Sequence, residues 1–147
     1  MTTSILGTAD VLLVEDDPGD VLLTTDALEA CHLGLNLHVV NDGEDALRFL
    51  RRDGEFAAMP RPGLVLLDLN LPRRSGLEVL SDLKADPDLR AIPVVVLTTS
   101  QAEADIVRSY ELHANAYVIK PIEAAKFADA IKQIDEFFLI LMRRPQR

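Results

Sequence analysis

The chain of 147 residues contains one cysteine, no tryptophan and only 5% aromatic residues. A single cysteine excludes an internal disulfide framework and a cysteine-built zinc site, so a reducing cytoplasm is the expected compartment. Basic residues are also in short supply: 15 Lys and Arg stand against 24 Asp and Glu, a formal charge of −9. Such an acidic chain repels phosphate backbones, which argues against direct nucleic-acid binding. Long hydrophobic runs are missing as well. The longest, Phe137–Met142, has six residues, against the ~20 of a bilayer-spanning helix, so no membrane association is expected. The first nine residues have neither the basic start nor the apolar stretch of a secretory signal. What remains is a globular composition, 48% apolar and 27% charged, and the chain (1–147) reads as a single domain.

Short apolar runs alternate with amphipathic stretches along this chain. Val11–Val14 closes on Glu15, Asp16 and Asp17, and Asp17-Pro18 reads as a helix cap followed by proline at the first helical position. The helix that follows carries Val21, Leu22, Thr25 and Leu28 at helical spacing, with Cys31 beyond and Gly34 as its stop. Leu35–Val40 is a second strand, which turns at Asn41-Asp42-Gly43 into a helix with Ala46, Leu47, Phe49 and Leu50 inward. A proline-bearing loop (59–63) leads into Leu64–Leu67, which ends at Asp68. Another loop (72–76) precedes a helix built on Leu77, Leu80, Leu83 and Lys84 and stopped by Asp86-Pro87. Ile92–Leu97, with three consecutive valines, ends at Thr98. A fourth helix covers about 102–112, and the strand Ala116–Ile119 ends at Lys120-Pro121. A long last helix spans about 123–142, ahead of a short basic tail, 143–147. Five strand–helix repeats call for a parallel sheet covered on both faces. Right-handed crossovers make this a doubly wound α/β sandwich, with strand order 2-1-3-4-5 by analogy with other five-stranded folds of the kind.

The polar residues fall at the strand ends. Glu15 and Asp16 follow strand 1, Asp68 strand 3, Thr98 strand 4 and Lys120 strand 5. In a parallel sheet these ends share one edge, where ligands bind at the switch point between strands 1 and 3. Two carboxylates about 4 Å apart repel by ~4 kcal/mol at an effective dielectric near 20. Three of them together imply a compensating cation, and hard oxygen ligands with room for water and phosphate favour Mg²⁺. The set suits phosphoryl transfer onto a carboxylate: Asp68 as nucleophile, Mg²⁺ between Asp16, Asp68 and the phosphoryl oxygens, Lys120 and Thr98 on the remaining oxygens. Such a reaction needs positioning and electrostatic stabilisation, and no histidine base.

These residues stand in segments that resemble the receiver domains of two-component response regulators: LLVEDDPGD (12–20), LVLLDLNLP (64–72), SGLEVL (75–80), IPVVVLTTS (92–100) and YVIKP (117–121). The resemblance implies the flavodoxin-like receiver fold and a phosphorylation-dependent switch rather than a turnover enzyme, one that catalyses only its own phosphorylation and dephosphorylation. It makes Asp68 the phosphoacceptor and Glu15 and Asp16 the metal-binding acids. Asn70 then offers a backbone carbonyl to the metal. Thr98 is the phosphoryl-sensing hydroxyl, Lys120 the site lysine and Tyr117 the rotameric aromatic. Asn70 and Ser100, each two residues beyond a site residue, are expected to tune how fast water removes the phosphate. In this family the Lys-Pro bond is commonly cis, which would apply to Lys120-Pro121. With no effector domain after the last helix, the chain looks like a stand-alone regulator. The stretches LDLNLPRRSGLEVL, IPVVVLTTSQAEADI and LHANAYVIKP are similar to small regulators paired with phytochrome-type histidine kinases. Ser75, where an aspartate often precedes the glycine, and Glu15, in place of a first aspartate, are mild departures.

Taken singly, each site residue has an ordinary explanation: Asp68 a loop cap, Thr98 a β-former, Lys120 a solvated lysine, Tyr117 a half-buried aromatic. Their joint placement at four strand ends carries the reading. Asp17 is explained as a helix cap. His32, His38 and His113 show no ligand spacing, Cys31 reads as a small buried residue, and Arg73-Arg74 as a solvated loop. In the last helix Phe127, Ile131, Ile134, Phe138 and Leu141 suffice for a core face. Phe137, Leu139, Ile140 and Met142 are surplus, and a surplus apolar patch marks an interface. A homodimer through the helix 4–strand 5–helix 5 face is the expected consequence, the alternative being that the C-terminal turn folds back and covers itself. Three competing classes fit less well. A haloacid-dehalogenase-like phosphatase carries its nucleophile on the first strand and an aspartate where Asn70 stands. A flavin carrier needs a glycine- and hydroxyl-rich loop where this chain is acidic. A phosphorylation-independent interaction module has no use for a complete acceptor site.

Overall fold

Within each strand, neighbouring side chains point to opposite faces of the sheet, and here both faces are apolar, so both must be covered. The computed structural model describes residues 10–30, 36–99, 114, 116–127 and 129–130. In chain order these form β1 (Asp10–Val14), α1 (Pro18–Ala30), β2 (Asn36–Val40), α2 (Gly43–Arg51), a 3₁₀ turn (Gly54–Phe56), β3 (Leu64–Asp68), α3 (Gly76–Ala85), β4 (Val94–Thr98) and β5 (Ala116–Ile119). Residues 124–127 and 129–130 are helical. The five strands run parallel in the order β2-β1-β3-β4-β5, which is the expected doubly wound arrangement.

The two faces divide the core by alternate residues. Leu12, Val14, Val65, Leu67, Val94 and Val96 pack with Leu47 and Leu50 of α2 and with Leu80 and Leu83 of α3. Val11, Leu13, Leu64, Leu66, Val95 and Leu97 pack with Ala27 and Leu28 of α1 and with Phe127. Every residue of β3 and β4 is buried, and full burial of each Val or Leu side chain contributes ~1.5–3 kcal/mol. These two strands therefore anchor the sheet, and Asp68 and Thr98 are the residues on which they end.

Two local expectations are corrected. Strand β4 begins at Val94 rather than Ile92: Pro93 has no amide to give to a ladder, although its carbonyl accepts from Val65 N (3.0 Å), and Ile92 N turns back to Leu89 O (3.0 Å). In α1 the buried residues are Thr24, Ala27 and Leu28, whereas Leu22 is 62% exposed. The small side chains at 24 and 27 occupy the contact line, and packing on the sheet chose that face over the more hydrophobic one. Asp17 caps this helix as expected, its Oδ1 accepting from Gly19 N at 3.0 Å. The expectations placed on Cys31, His32, Gly34, Leu35, Ser100, the helix at 102–112, His113, the apolar positions from Ile131 onward and the basic tail lie outside the described residues.

Candidate functional site

Main-chain bonds just past the strand ends hold the acids in place. Glu15 N donates to Val40 O (3.0 Å), extending the ladder one residue beyond β1. Asn41 Nδ2 donates to the Glu15 carbonyl at 3.1 Å. The Glu15 carboxylate is fully buried, its Oε1 accepting from Asp17 N at 3.3 Å. Asp68, 3% exposed, closes β3. After it the chain is pinned by Leu69 N to Leu97 O (3.1 Å) and Gly76 N to Leu69 O (3.0 Å). Position 76 has to be glycine, because a Cβ there would collide with the main chain of Asp68 and Leu69. Asn70 N donates to Asp68 Oδ1 at 3.2 Å.

From the far side of the sheet edge comes Lys120. Its backbone N donates to Thr98 O (2.7 Å), and the Lys120-Pro121 bond is cis. Its Nζ lies 2.7 Å from Glu15 Oε2, 2.8 Å from Asp20 Oδ2 and 3.3 Å from Asp68 Oδ2. Burial works against the Lys120 ammonium, but Asp20, Glu15 and Asp68 outweigh it and hold its pKa above the ordinary lysine value. Burial also dominates at Glu15 and pushes its carboxyl up to about 7; the Asp68 carboxylate adds to the rise, and the bond from Lys120 opposes it.

Glu15, Asp16 and Asp68 each present a carboxylate oxygen, and these oxygens lie within 4.8 Å of one another. Two of the three are buried and Asp16 is exposed, so the cluster opens to solvent on one side. An all-oxygen set with that opening fits a hard divalent cation that keeps some of its water.

Glu15, Asp16, Asp68 and Lys120, chosen for their places at strand ends, are therefore gathered into one site. Thr98 is buried as the last residue of β4 and pairs in register with Ile119, directly before Lys120. Tyr117 is half-buried, packs against the core beneath α2 and α3, and lines a surface cavity of about 330 Å³ with Lys120, Pro121 and Lys126. His38 is structural: its Nε2 is 3.0 Å from Asp10 Oδ1 and its ring is tilted on Phe49. Arg73 is exposed, 3.5 Å from Asp42, as a solvated loop residue would be, whereas the half-buried Arg74 faces Asp82 at 3.1 Å.

Sequence reasoning missed Asp20. It is the third residue of α1, three beyond the Asp17 cap, and the available signal was its place in the first turn of a helix that starts at the site edge. It also missed the reciprocal cap of α3, where Ser75 Oγ accepts from Glu78 N and Glu78 Oε1 accepts from Ser75 N. The Ser-x-x-Glu spacing was visible.

A five-stranded parallel sheet in this order, with acids and a lysine meeting at its carboxyl edge, defines a receiver-type α/β protein. Residues 11–132 match the response regulator receiver domain family, and the chain belongs to it. Response regulator Rcp1 of Synechocystis sp. is 43% identical over 135 residues, covering 92% of each chain. The crystal structure of the phosphorylated cyanobacterial phytochrome response regulator RcpA is 44% identical, with a TM-score of 0.78 over 90% of this chain and 94% of that one. The Mn²⁺-bound form of Rcp1 gives 44% identity and a TM-score of 0.77, over 89% and 94%. The chain is thus a signalling protein similar to phytochrome response regulators. Among the described residues no helix is long and apolar enough to cross a membrane.

Proposed function

We propose that this receiver takes a phosphoryl group from a histidine kinase, of the phytochrome type, onto Asp68, and that the modified site changes the helix 4–strand 5–helix 5 surface. The observation that carries the reading is the buried Asp68 carboxylate set against the Lys120 ammonium, with Glu15 and Asp16 alongside. One Asp68 oxygen attacks the phosphorus of a phosphohistidine; the P–N bond breaks, its electron pair stays on the imidazole nitrogen, and that nitrogen takes up a proton. The product is an acyl phosphate on Asp68.

Positioning and charge do the work. Lys120 donates to a phosphoryl oxygen, the Thr98 hydroxyl donates to another, and Asn70 N already points at the Asp68 carboxylate. Glu15, Asp16 and Asp68, with the Asn70 carbonyl, would hold Mg²⁺. When bound, that ion neutralises the carboxylates and the incoming phosphoryl oxygens. Support comes from the donor set itself, and Rcp1 is a relative with a Mn²⁺-bound form. With Thr98 drawn toward the phosphate, Tyr117 turns into the space beside it and biases a two-state surface. That surface serves a partner or a second copy of the chain, in the cytoplasm and without direct nucleic-acid contact.

Incubation with acetyl phosphate and Mg²⁺, followed by intact mass, tests this directly. One phosphoryl adduct is expected, absent with chelator and absent in Asp68→Asn. An unchanged mass of the unsubstituted protein under several phosphodonors would remove the chemistry of the switch.

A further inference from the structure

An ammonium has three N–H donors, and Lys120 has three carboxylates within reach: Glu15 at 2.7 Å, Asp20 at 2.8 Å and Asp68 at 3.3 Å. The phosphoacceptor is the most distant of the three. Asp20 belongs to neither the acidic cluster nor the strand ends. It stands on the first turn of α1, 100 residues from Lys120 in sequence, with its side chain 21% exposed against 8% for that of Lys120.

We propose that Asp20 is a positioning residue that holds Lys120 in a resting pose and competes with the phosphoryl group for it. This rests on Asp68 being the phosphoacceptor. Nζ hydrogen-bonds to Glu15 and Asp20 and faces Asp68 only as an ion pair at 3.3 Å, so a phosphoryl oxygen on Asp68 draws the ammonium away from the other two carboxylates. Glu15 is buried at the end of β1 and tied through its main chain to Val40 and Asn41, so it moves least. Asp20, the more exposed partner, is the one that must release. Its bond stabilises the unmodified state and is lost in the modified one, so Asp20 lowers both the speed and the extent of phosphorylation. The Asp20 charge also disfavours an incoming dianion, and the two effects have to be separated.

Asp20→Ala removes bond and charge together, and Asp20→Asn removes the charge while keeping a weaker acceptor. Asp17→Asn removes a neighbouring charge that does not touch Lys120, and asparagine remains a good helix cap. With acetyl phosphate and saturating Mg²⁺, Asp20→Ala is expected to acquire the adduct about tenfold faster, the size of one charge-assisted hydrogen bond. Asp20→Asn should fall in between, and Asp17→Asn should stay within about twofold of the unsubstituted chain. A second readout needs no metal or phosphate: the ¹⁵N and ¹H shifts of the Lys120 ammonium in metal-free protein should move in both Asp20 variants and not in Asp17→Asn. Equal acceleration by Asp17→Asn would reduce the effect to general charge and overturn the contact. Unchanged or slower phosphorylation in Asp20→Ala, with the unsubstituted chain phosphorylating normally, would overturn the inference while leaving the phosphoacceptor reading intact. No adduct on the unsubstituted chain would instead fail the reading beneath it.

Discussion

Glu15 is a side chain whose ionisation the fold alters. Buried beside Asp68, its carboxyl is pushed up to about 7 from an ordinary value of 4.5. Between those two values the folded chain keeps a proton that the unfolded chain has already lost. Folding stability therefore declines as pH rises through that window, the reverse of the usual buried carboxylate in a salt bridge, and levels off above about 7. Urea denaturation in chelator at several pH values should show this decline in the unsubstituted chain, which should lose stability relative to the non-titrating Glu15→Gln steadily from pH 5 to pH 7. Parallel profiles for the two chains would mean that Glu15 ionises like an exposed carboxylate. The same residue illustrates what strand-end reasoning can reach. The adjacency of Glu15 and Asp16 to an apolar run is a property of the chain, so their candidacy was legible. The bond from Lys120 to Asp20 was not, because it joins two elements whose separation is set only by the packed sheet.

Among the elements, α3 carries the clearest local instruction. Ser75 and Glu78 satisfy each other's amides at its start (3.0 and 3.2 Å), and Gly76 lets that start pass close over the main chain of Asp68. The cap thus sets where the loop after Asp68 ends. Ser75→Ala keeps the Glu78 half of the pair and loses the hydroxyl half. An expected loss of about 0.5–2 kcal/mol should appear as a lower urea midpoint with an unchanged slope; no change in midpoint would mean that packing alone holds the helix start. Helix α1 teaches the opposite lesson. Its apolar residues do not form one clean stripe, so periodicity pointed to Leu22 while the sheet took Thr24 and Ala27. Where a helix is weakly amphipathic, the packing partner chooses the buried face.

For the molecule as a whole, the acidic excess of −9 repels a second copy at long range, so self-association needs an apolar surface to overcome it. Phe137, Leu139, Ile140 and Met142, in surplus of a core face in sequence, are the expected source of such a surface. Sedimentation at tens of micromolar should therefore detect a dimer, strengthened by acetyl phosphate and Mg²⁺; monomer alone, with and without phosphorylation, would remove it. The parallel sheet followed from alternation of short apolar runs with helices and from crossover handedness, and its strand order from analogy with other five-stranded folds of the kind. The acids, the hydroxyl and the lysine were legible for the same reason: a parallel sheet delivers its strand ends to one edge. What only the tertiary structure decided was how that edge is wired, which carboxylate holds Lys120 and which face of α1 is buried. Those outcomes depend on distances between residues remote in sequence, and no local pattern encodes such distances.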